Sequence, residues 1–230
     1  MSSLCESPPS PTETKPVASL RQLSKSLQFV QEVQQHEESA RLRAASIRLK
    51  FESQRVVDII LQNNSSKACE LLSSKSISID ALNTQCSKQK CCPLHVACEC
   101  GKVEVVELLL QLGSSPFVLD NNNENALLCC VGRTKDKEAG NACARALLLS
   151  ATDVDDSSSI VTFVNAQRTT DGSTALHCAC FKDDIELVNL LIQYGASKHI
   201  PNHRGTTAVE LAKKLNSLPE IQKILRDSDI

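Results

Sequence analysis

Residues 172–215 read GSTALHCACFKDDIELVNLLIQYGASKHIPNHRGTTAVELAKKL, a stretch that repeats itself before it ends. Gly172-Ser173-Thr174-Ala175-Leu176-His177 returns as Gly205-Thr206-Thr207-Ala208-Val209-Glu210, which sets Thr174 and Thr207 33 residues apart. The same register appears upstream. Cys92-Pro93-Leu94-His95-Val96-Ala97-Cys98 occupies the frame with Cys92 where Thr174 stands, and Asn125-Ala126-Leu127-Leu128-Cys129-Cys130 is a weaker copy. Cys92 to Asn125 is again 33 residues, and Asn125 to Thr174 is 49, one period plus an insertion of 16.

A 33-residue unit that opens with a turn and T-x-L-H-x-A, then continues into a second apolar helix closed by Gly-Ala, resembles the ankyrin repeat. The resemblance implies an all-α solenoid of about five helix-turn-helix repeats with short hairpin turns, covering residues 54–227 and preceded by an N-terminal helical segment. It is most specific over Gly172 to Lys214 and Cys92 to Gly113.

Composition sets the class. The chain has 230 residues, 41% hydrophobic and 23% charged, with a net charge of −2, which describes a globular protein able to bury a core. So balanced a charge favours neither nucleic acid nor stable membrane association, and 3% aromatic residues leave little to stack on bases. The opening MSSLCESPPSPTETKP has no basic n-region and no apolar h-region, so the expected location is cytoplasmic, with nuclear access open. The 12 cysteines are then expected as reduced thiols. Cys98, Cys130 and Cys180 stand at positions where ankyrin repeats usually carry Ala, which makes them small buried hydrophobes.

Residues 1–19 are Pro/Ser-rich and are expected to be a disordered tail, with Ser7-Pro8 and Ser10-Pro11 as ordinary members of such a tail. Over residues 20–53 two apolar stripes follow, Leu20-Leu23-Leu27-Val30 and Ala40-Ala44-Ile47-Phe51. Their register fails at Gln34 and Glu37. The second is a basic amphipathic helix bearing Arg41, Arg43, Arg48, Lys50 and Arg55, read as the cap on the open end of the stack. A lipid-surface or partner-helix role is its alternative.

Repeat one is placed by Glu70-Leu71-Leu72, with Val57, Ile60 and Leu61 in the buried slots of its first helix and four extra residues near Asn83 to Lys90. Repeat two reads as helices Pro93 to Cys100 and Val103 to Leu112, followed by a turn at Asp120-Asn121-Asn122-Asn123 in which Asn123 takes the place of Gly172 and Gly205. Repeat three carries insertions at 132–137 and 151–162, the latter an acidic, Ser-rich solvated loop, and Leu128 replaces the expected His. Repeat four keeps both Thr174 and His177, which in ankyrin folds resemble a hydrogen-bonded pair tying the helix start to the adjoining turn. Repeat five puts Glu210 at the His position and ends in a polar C-terminal cap. The departures at Leu128 and Glu210 predict looser third and fifth repeats.

Nothing in the sequence points to catalysis: there is no G-x-S-x-G, phosphate loop, H-E-x-x-H or G-x-G-x-x-G. No catalytic residue, metal ligand or cofactor is therefore assigned. Cys98-x-Cys100 and Cys178-x-Cys180 have the wrong spacing for zinc, and His95 and His177 already have turn-binding roles. A thiol-based redox or metal-responsive module is the rival reading, with Cys100, Cys129 and Cys178 as the less buried thiols.

What the resemblance implies is a protein-interaction scaffold, a non-enzymatic adaptor whose hairpin tips and exposed first-helix positions line a concave groove. Carried over position by position, the partner-binding residues are Asn121 and Asn122, Asp171, and His203 and Arg204 at the tips, with Glu99, Phe181 and Lys182 on the first helices. Phe181 is the leading contact, because a large exposed aromatic is the usual hot-spot type, and its alternative is to pack on the Asp183-Asp184 turn.

Overall fold

The computed structural model describes residues 20–74, 76–86, 90–152 and 157–227. The tail at 1–19, its Ser-Pro sites and residues 153–156 of the acidic insertion lie outside them.

Twelve helices account for the regular structure among the described residues: α1 Leu20–Gln62, α2 Ser65–Ser73, α3 Ile79–Leu82, α4 Pro93–Glu99, α5 Val103–Gln111, α6 Ala126–Arg133, α7 Lys137–Thr152, α8 Ser157–Val164, α9 Ala175–Phe181, α10 Ile185–Gln193, α11 Ala208–Lys214 and α12 Pro219–Asp227. They pair as α4/α5, α6/α7, α9/α10 and α11/α12, and the pairs stack in two layers. One layer runs α4, α6, α9, α11; the other runs α2, α5, α7, α10, α12. The fold is the all-α repeat solenoid that the 33-residue period implies. Between the layers lies one core, with Leu94, Leu109, Leu127, Leu147, Leu148, Leu176 and Leu191 all fully buried.

Helix α1 is a single 43-residue helix that continues through Gln34 and Glu37, where the apolar register fails. A missed apolar stripe costs a solvated helix little, since backbone hydrogen bonds continue regardless of which face is polar. Residues up to 46 form a unit of their own, and residues from 47 onward belong to the repeat body. Within that body Ser53, Val56, Val57 and Ile60 make the buried face of α1. Leu61 does not join them; it is 47% exposed. At about 100° per residue it sits roughly a quarter turn from the middle of that face. Lys102 closes the end of α1 by donating from Nζ to the carbonyls of Ile60 and Asn63, a cation on the negative pole of the helix.

The turns behave as their sequences indicate. Asn123 adopts φ +54° where Gly172 has +71° and Gly205 +69°, and Asp183 adopts φ +50° where Gly101 has +66°. Asp184 then caps α10, its Oδ1 accepting from Leu187 N at 3.1 Å and from Asn141 Nδ2 at 3.1 Å.

Three expectations need correcting. Helix α6 runs two residues further than the 132–137 insertion allowed, placing Gly132 and Arg133 on the helix. The second insertion is not simply a solvated loop, because residues 157–164 form α8. Its Phe163 and Val164 are buried, with Phe163 edge-on to Phe117 at 5.4 Å between ring centroids. Eight residues are too few to show a period, so only the tertiary contact reveals the helix.

Nor is repeat three left untied by the loss of its His. His177 Nδ1 meets Thr174 N at 3.2 Å and Thr174 Oγ1 at 2.9 Å, while its Nε2 reaches Thr206 O at 3.0 Å on the next turn. His95 Nε2 makes the same reach to Glu124 O at 3.1 Å. In repeat three Asn125 supplies both halves: its Oδ1 caps α6 by accepting from Leu128 N at 2.9 Å, and its Nδ2 donates to Phe163 O at 2.8 Å. In repeat five Thr207 and Glu210 form a reciprocal capping box.

Candidate functional site

The exposed ends of the first helices and the hairpin tips enclose two adjoining depressions. The first, about 420 Å³, is lined by Leu61, Lys90, Glu99, Cys100, Asn121, Asn122 and Arg133 among others. Its floor is a charge network. Arg133 Nη2 lies 2.7 Å from Glu124 Oε2 and 3.6 Å from Asp120 Oδ2, and its Nη1 is 3.7 Å from Glu99 Oε2. Arg168 Nε stands 3.6 Å from Glu124 Oε1.

Asp120 and Glu124 are buried carboxylates. Asp120 Oδ1 accepts from Asn122 N at 2.7 Å and Glu124 N at 2.9 Å, so it builds the tip on which Asn121 and Asn122 ride. Burying such charges is tolerated only when they are paired and hydrogen-bonded, and Arg133 supplies the pairing.

The second depression, about 410 Å³, is lined by Gly132, Arg168, Asp171, His177, Cys178, Phe181, Lys182 and Arg204 among others. Phe181, the last residue of α9, is 70% exposed, which leaves its ring uncovered by the Asp183-Asp184 turn. Gly132 makes room for a guanidinium: a Cβ there would lie 1.5 Å from Arg168 Nη2. Lys182 is half-buried and donates from Nζ to Thr134 O at 3.0 Å, so its ammonium is committed within the fold. Arg204 is exposed, and its backbone N–H donates to Asn202 Oδ1 at 3.0 Å.

Backbone contacts run from tip to tip. Asn121 N donates to Lys90 O at 3.1 Å, Thr169 Oγ1 to Asn122 O at 2.8 Å, and His203 N to Asp171 O at 2.9 Å. Asp171 accepts from Ser173 N at 3.0 Å and Ser173 Oγ at 2.8 Å. Its partial burial works against ionisation, but these bonds and nearby Arg168 hold its pKa below the ordinary carboxylate value.

Seven of the eight carried-over residues therefore border these two depressions, Glu99, Asn121 and Asn122 on the first and Asp171, Phe181, Lys182 and Arg204 on the second. His203 lies against Gly172 on the neighbouring tip. Arg133 and Arg168 are the residues that sequence reading missed. Arg133 falls in the 132–137 stretch that reads as an insertion, and Arg168 sits before a turn with no periodicity around it.

The thiols are poor nucleophiles here. Burial pushes Cys91, Cys92, Cys129, Cys143 and Cys180 up to about 12, and Cys98 and Cys130 well above the ordinary thiol value. Cys129 is fully buried on α6, contrary to its expected place among the less buried thiols. Cys178 is half-buried and Cys100 exposed, yet burial raises both. Among the described residues one trio has its ligand atoms within 4.8 Å of one another, Asp120, Glu124 and Cys129. The guanidinium of Arg133 already neutralises that trio's carboxylates, so the donor set fits an ion-pair network better than a cation site.

No helix among the described residues is long and apolar enough to cross a membrane.

Comparison with known proteins bears on the fold. A family model described as ankyrin repeats (3 copies) matches residues 57–158, and one described as ankyrin repeat matches residues 171–203. The chain is 37% identical over 105 residues to B-cell lymphoma 3 protein of Homo sapiens, covering 45% of this chain and 20% of that protein. Its Mus musculus homolog is 34% identical over 135 residues, 58% of this chain and 27% of the other. A putative palmitoyltransferase ZDHHC13 of Danio rerio is 24% identical over 174 residues, 67% of this chain and 26% of the other. The matches thus span about a quarter of the length of these relatives.

Proposed function

The chain belongs to the ankyrin-repeat family, and from that premise we propose that it is a non-enzymatic adaptor that docks a protein partner in the depression beneath Phe181. Ankyrin stacks serve protein–protein interaction, and this family membership accounts for the fold without requiring a catalytic group. The observation that carries the finer reading is Phe181 itself, 70% exposed at the mouth of a cavity of about 410 Å³ beside Arg168 and Arg204. A solvated aromatic ring costs the free protein stability it would recover when covered, and an aromatic next to guanidinium groups is the usual composition of an interface centre. Hydrogen bonds between adjacent tips stiffen the surface in advance, which lowers the entropy lost on docking. The partner is expected to present an apolar side chain to Phe181 and a carboxylate to Arg204.

The test is affinity purification from cells with the intact chain and with the Phe181→Ala/Arg204→Glu variant. Both side chains are solvent-facing, so melting temperatures are expected to agree. Loss of a hot spot of about 2 kcal/mol or more weakens binding at least roughly 30-fold, and the partner should drop out of the variant's eluate. An unchanged set of partners would move the docking surface elsewhere.

A further inference from the structure

The repeat body has a third groove, on α1 rather than among the hairpin tips, and we propose that it docks an acidic amphipathic helix of a partner protein. One wall is the α1 face Arg48, Phe51, Glu52, Arg55, Val56 and Ile59; the other is Ser76 and Ile77; the space between is about 420 Å³. The α1 positions follow one another at spacings of three and one, a single helical stripe. Val56 is buried and Ile59 and Ile77 are half-buried, so the floor is apolar. On the rim the apolar surface is open: Phe51 is 67% exposed, and Ile47, one turn before it, is 69% exposed.

Charge decides what fits. The groove has one carboxylate, Glu52, and it is occupied within the fold: Oε1 accepts from Ser78 N at 3.0 Å and Oε2 from Ser78 Oγ at 3.4 Å. Arg48 and Arg55 are exposed and have no hydrogen-bond or ion-pair partner among the described residues. The unmatched charge is therefore positive, and it is divided between two points seven residues apart, about 10.5 Å along the helix axis.

That span equals the separation of residues i and i+7 on a second helix laid alongside. A partner with carboxylates at i and i+7 satisfies both guanidinium groups with bidentate geometry, and its i+3 or i+4 apolar residue then falls opposite Phe51. A bilayer meets this surface less well. Val56, Ile59 and Ile77 lie behind the rim, where a helix ridge reaches them and a flat headgroup plane does not.

The experiment titrates the full chain into a labelled, lactam-bridged 15-residue peptide with Glu at i and i+7 and Leu at i+3 and i+4, read by fluorescence anisotropy. Binding is expected to weaken as salt rises, to fall at least about 10-fold in Arg48→Glu/Arg55→Glu and in Phe51→Ala, and to be unchanged in Arg204→Glu. The same peptide with Lys for Glu is expected not to bind. Melting temperatures of the variants check that folding is intact, which the exposure of all three side chains predicts. No binding by the Glu peptide, equal binding by the Lys peptide, or indifference to the Arg48/Arg55 reversal overturns the proposal. So does retention of the chain on vesicles of 30% phosphatidylserine that is lost in the same variants without any peptide binding. Concentration-dependent dimerisation abolished by Phe51→Ala, again without peptide binding, would assign the groove to a second copy of the chain and overturn it as well.

Discussion

Three cysteines, Cys98, Cys130 and Cys180, occupy the paired small-residue positions of α4, α6 and α9, Cys98 and Cys180 at the second of the pair and Cys130 at the first, and each is fully buried. Replacing all three with Ala should change how stability depends on pH more than it changes stability near neutrality. In the folded chain burial holds Cys180 at about 12 and raises Cys98 and Cys130 well beyond the ordinary value. In the unfolded chain each returns to about 8.5. A raised folded pKa means the stabilising contribution is complete below about 8.5 and is lost as pH rises, because only the unfolded state releases its protons. Between pH 7.5 and 9.5 that linkage amounts to about 1.4 kcal/mol per thiol, or about 4 kcal/mol for three. This is a large fraction of the ~5–15 kcal/mol that holds a domain folded.

The assay is urea unfolding followed by circular dichroism at both pH values, under reductant, for wild type and Cys98→Ala/Cys130→Ala/Cys180→Ala. At pH 7.5 the variant should be the weaker by about 1 kcal/mol per sulfur removed, or less. At pH 9.5 the gap should close or reverse. Cys129 and Cys143, also raised to about 12, are present in both proteins and cancel. Parallel pH dependence, with the gap moving by less than about 1 kcal/mol, would refute the assignment of these thiols as buried and protonated.

Other perturbations follow from the turns and caps. Gly172→Ala should destabilise more than Gly205→Ala in thermal melts, since both positions have positive φ but only a Cβ at Gly172 meets neighbouring atoms, His203 N at 2.7 Å and Cδ2 at 2.5 Å, whereas Gly205 has nothing within 4 Å. The shared αL term is about 1–2 kcal/mol, and the clash adds to it in the first case alone. Asn125→Ala removes the α6 cap and the bond to Phe163 O together, with an expected loss of about 2–3 kcal/mol by urea unfolding; a loss under 1 kcal/mol would show that Asn125 does not replace the missing His. Burial lowers the pKa of His95, although nearby Asp120 works the other way, so the imidazole is neutral in the fold and its contribution is present above about 6.5 and lost as pH falls. His95→Gln should accordingly lose less stability than wild type between pH 7 and 5.5, and equal losses would count against that burial.

How far the residues spoke for themselves varies by position. The 33-residue period, Gly172 and Gly205 in their turns, Pro93 at the head of α4 and the Thr174–His177 pair are local features, each set by backbone conformation or by side chains three residues apart, and all were legible in the chain. The exposure of Phe181 was legible only as one of two readings, since packing on the Asp183-Asp184 turn was equally open, and the 70% exposure of its ring decides between them. The groove's electrostatic floor was not legible. Asp120, Glu124, Arg133 and Arg168 are scattered over 49 residues, and nothing local indicates that Arg133 belongs to α6 or that Gly132 leaves space for Arg168.

The sequence by itself determined the repeat unit, its helices and the direction each turn takes, because those depend on interactions within a few residues along the chain. Tertiary structure alone decided three other things: that α8 forms where a loop is written, that Leu61 faces the groove instead of the core, and that Arg48 and Arg55 stand without partners among the described residues, beside an open apolar rim. The physical reason is common to all three. Burial and charge pairing depend on which surfaces meet across the stack, and the pairings here join residues tens of positions apart, such as Asn125 with Phe163 and Glu52 with Ser78.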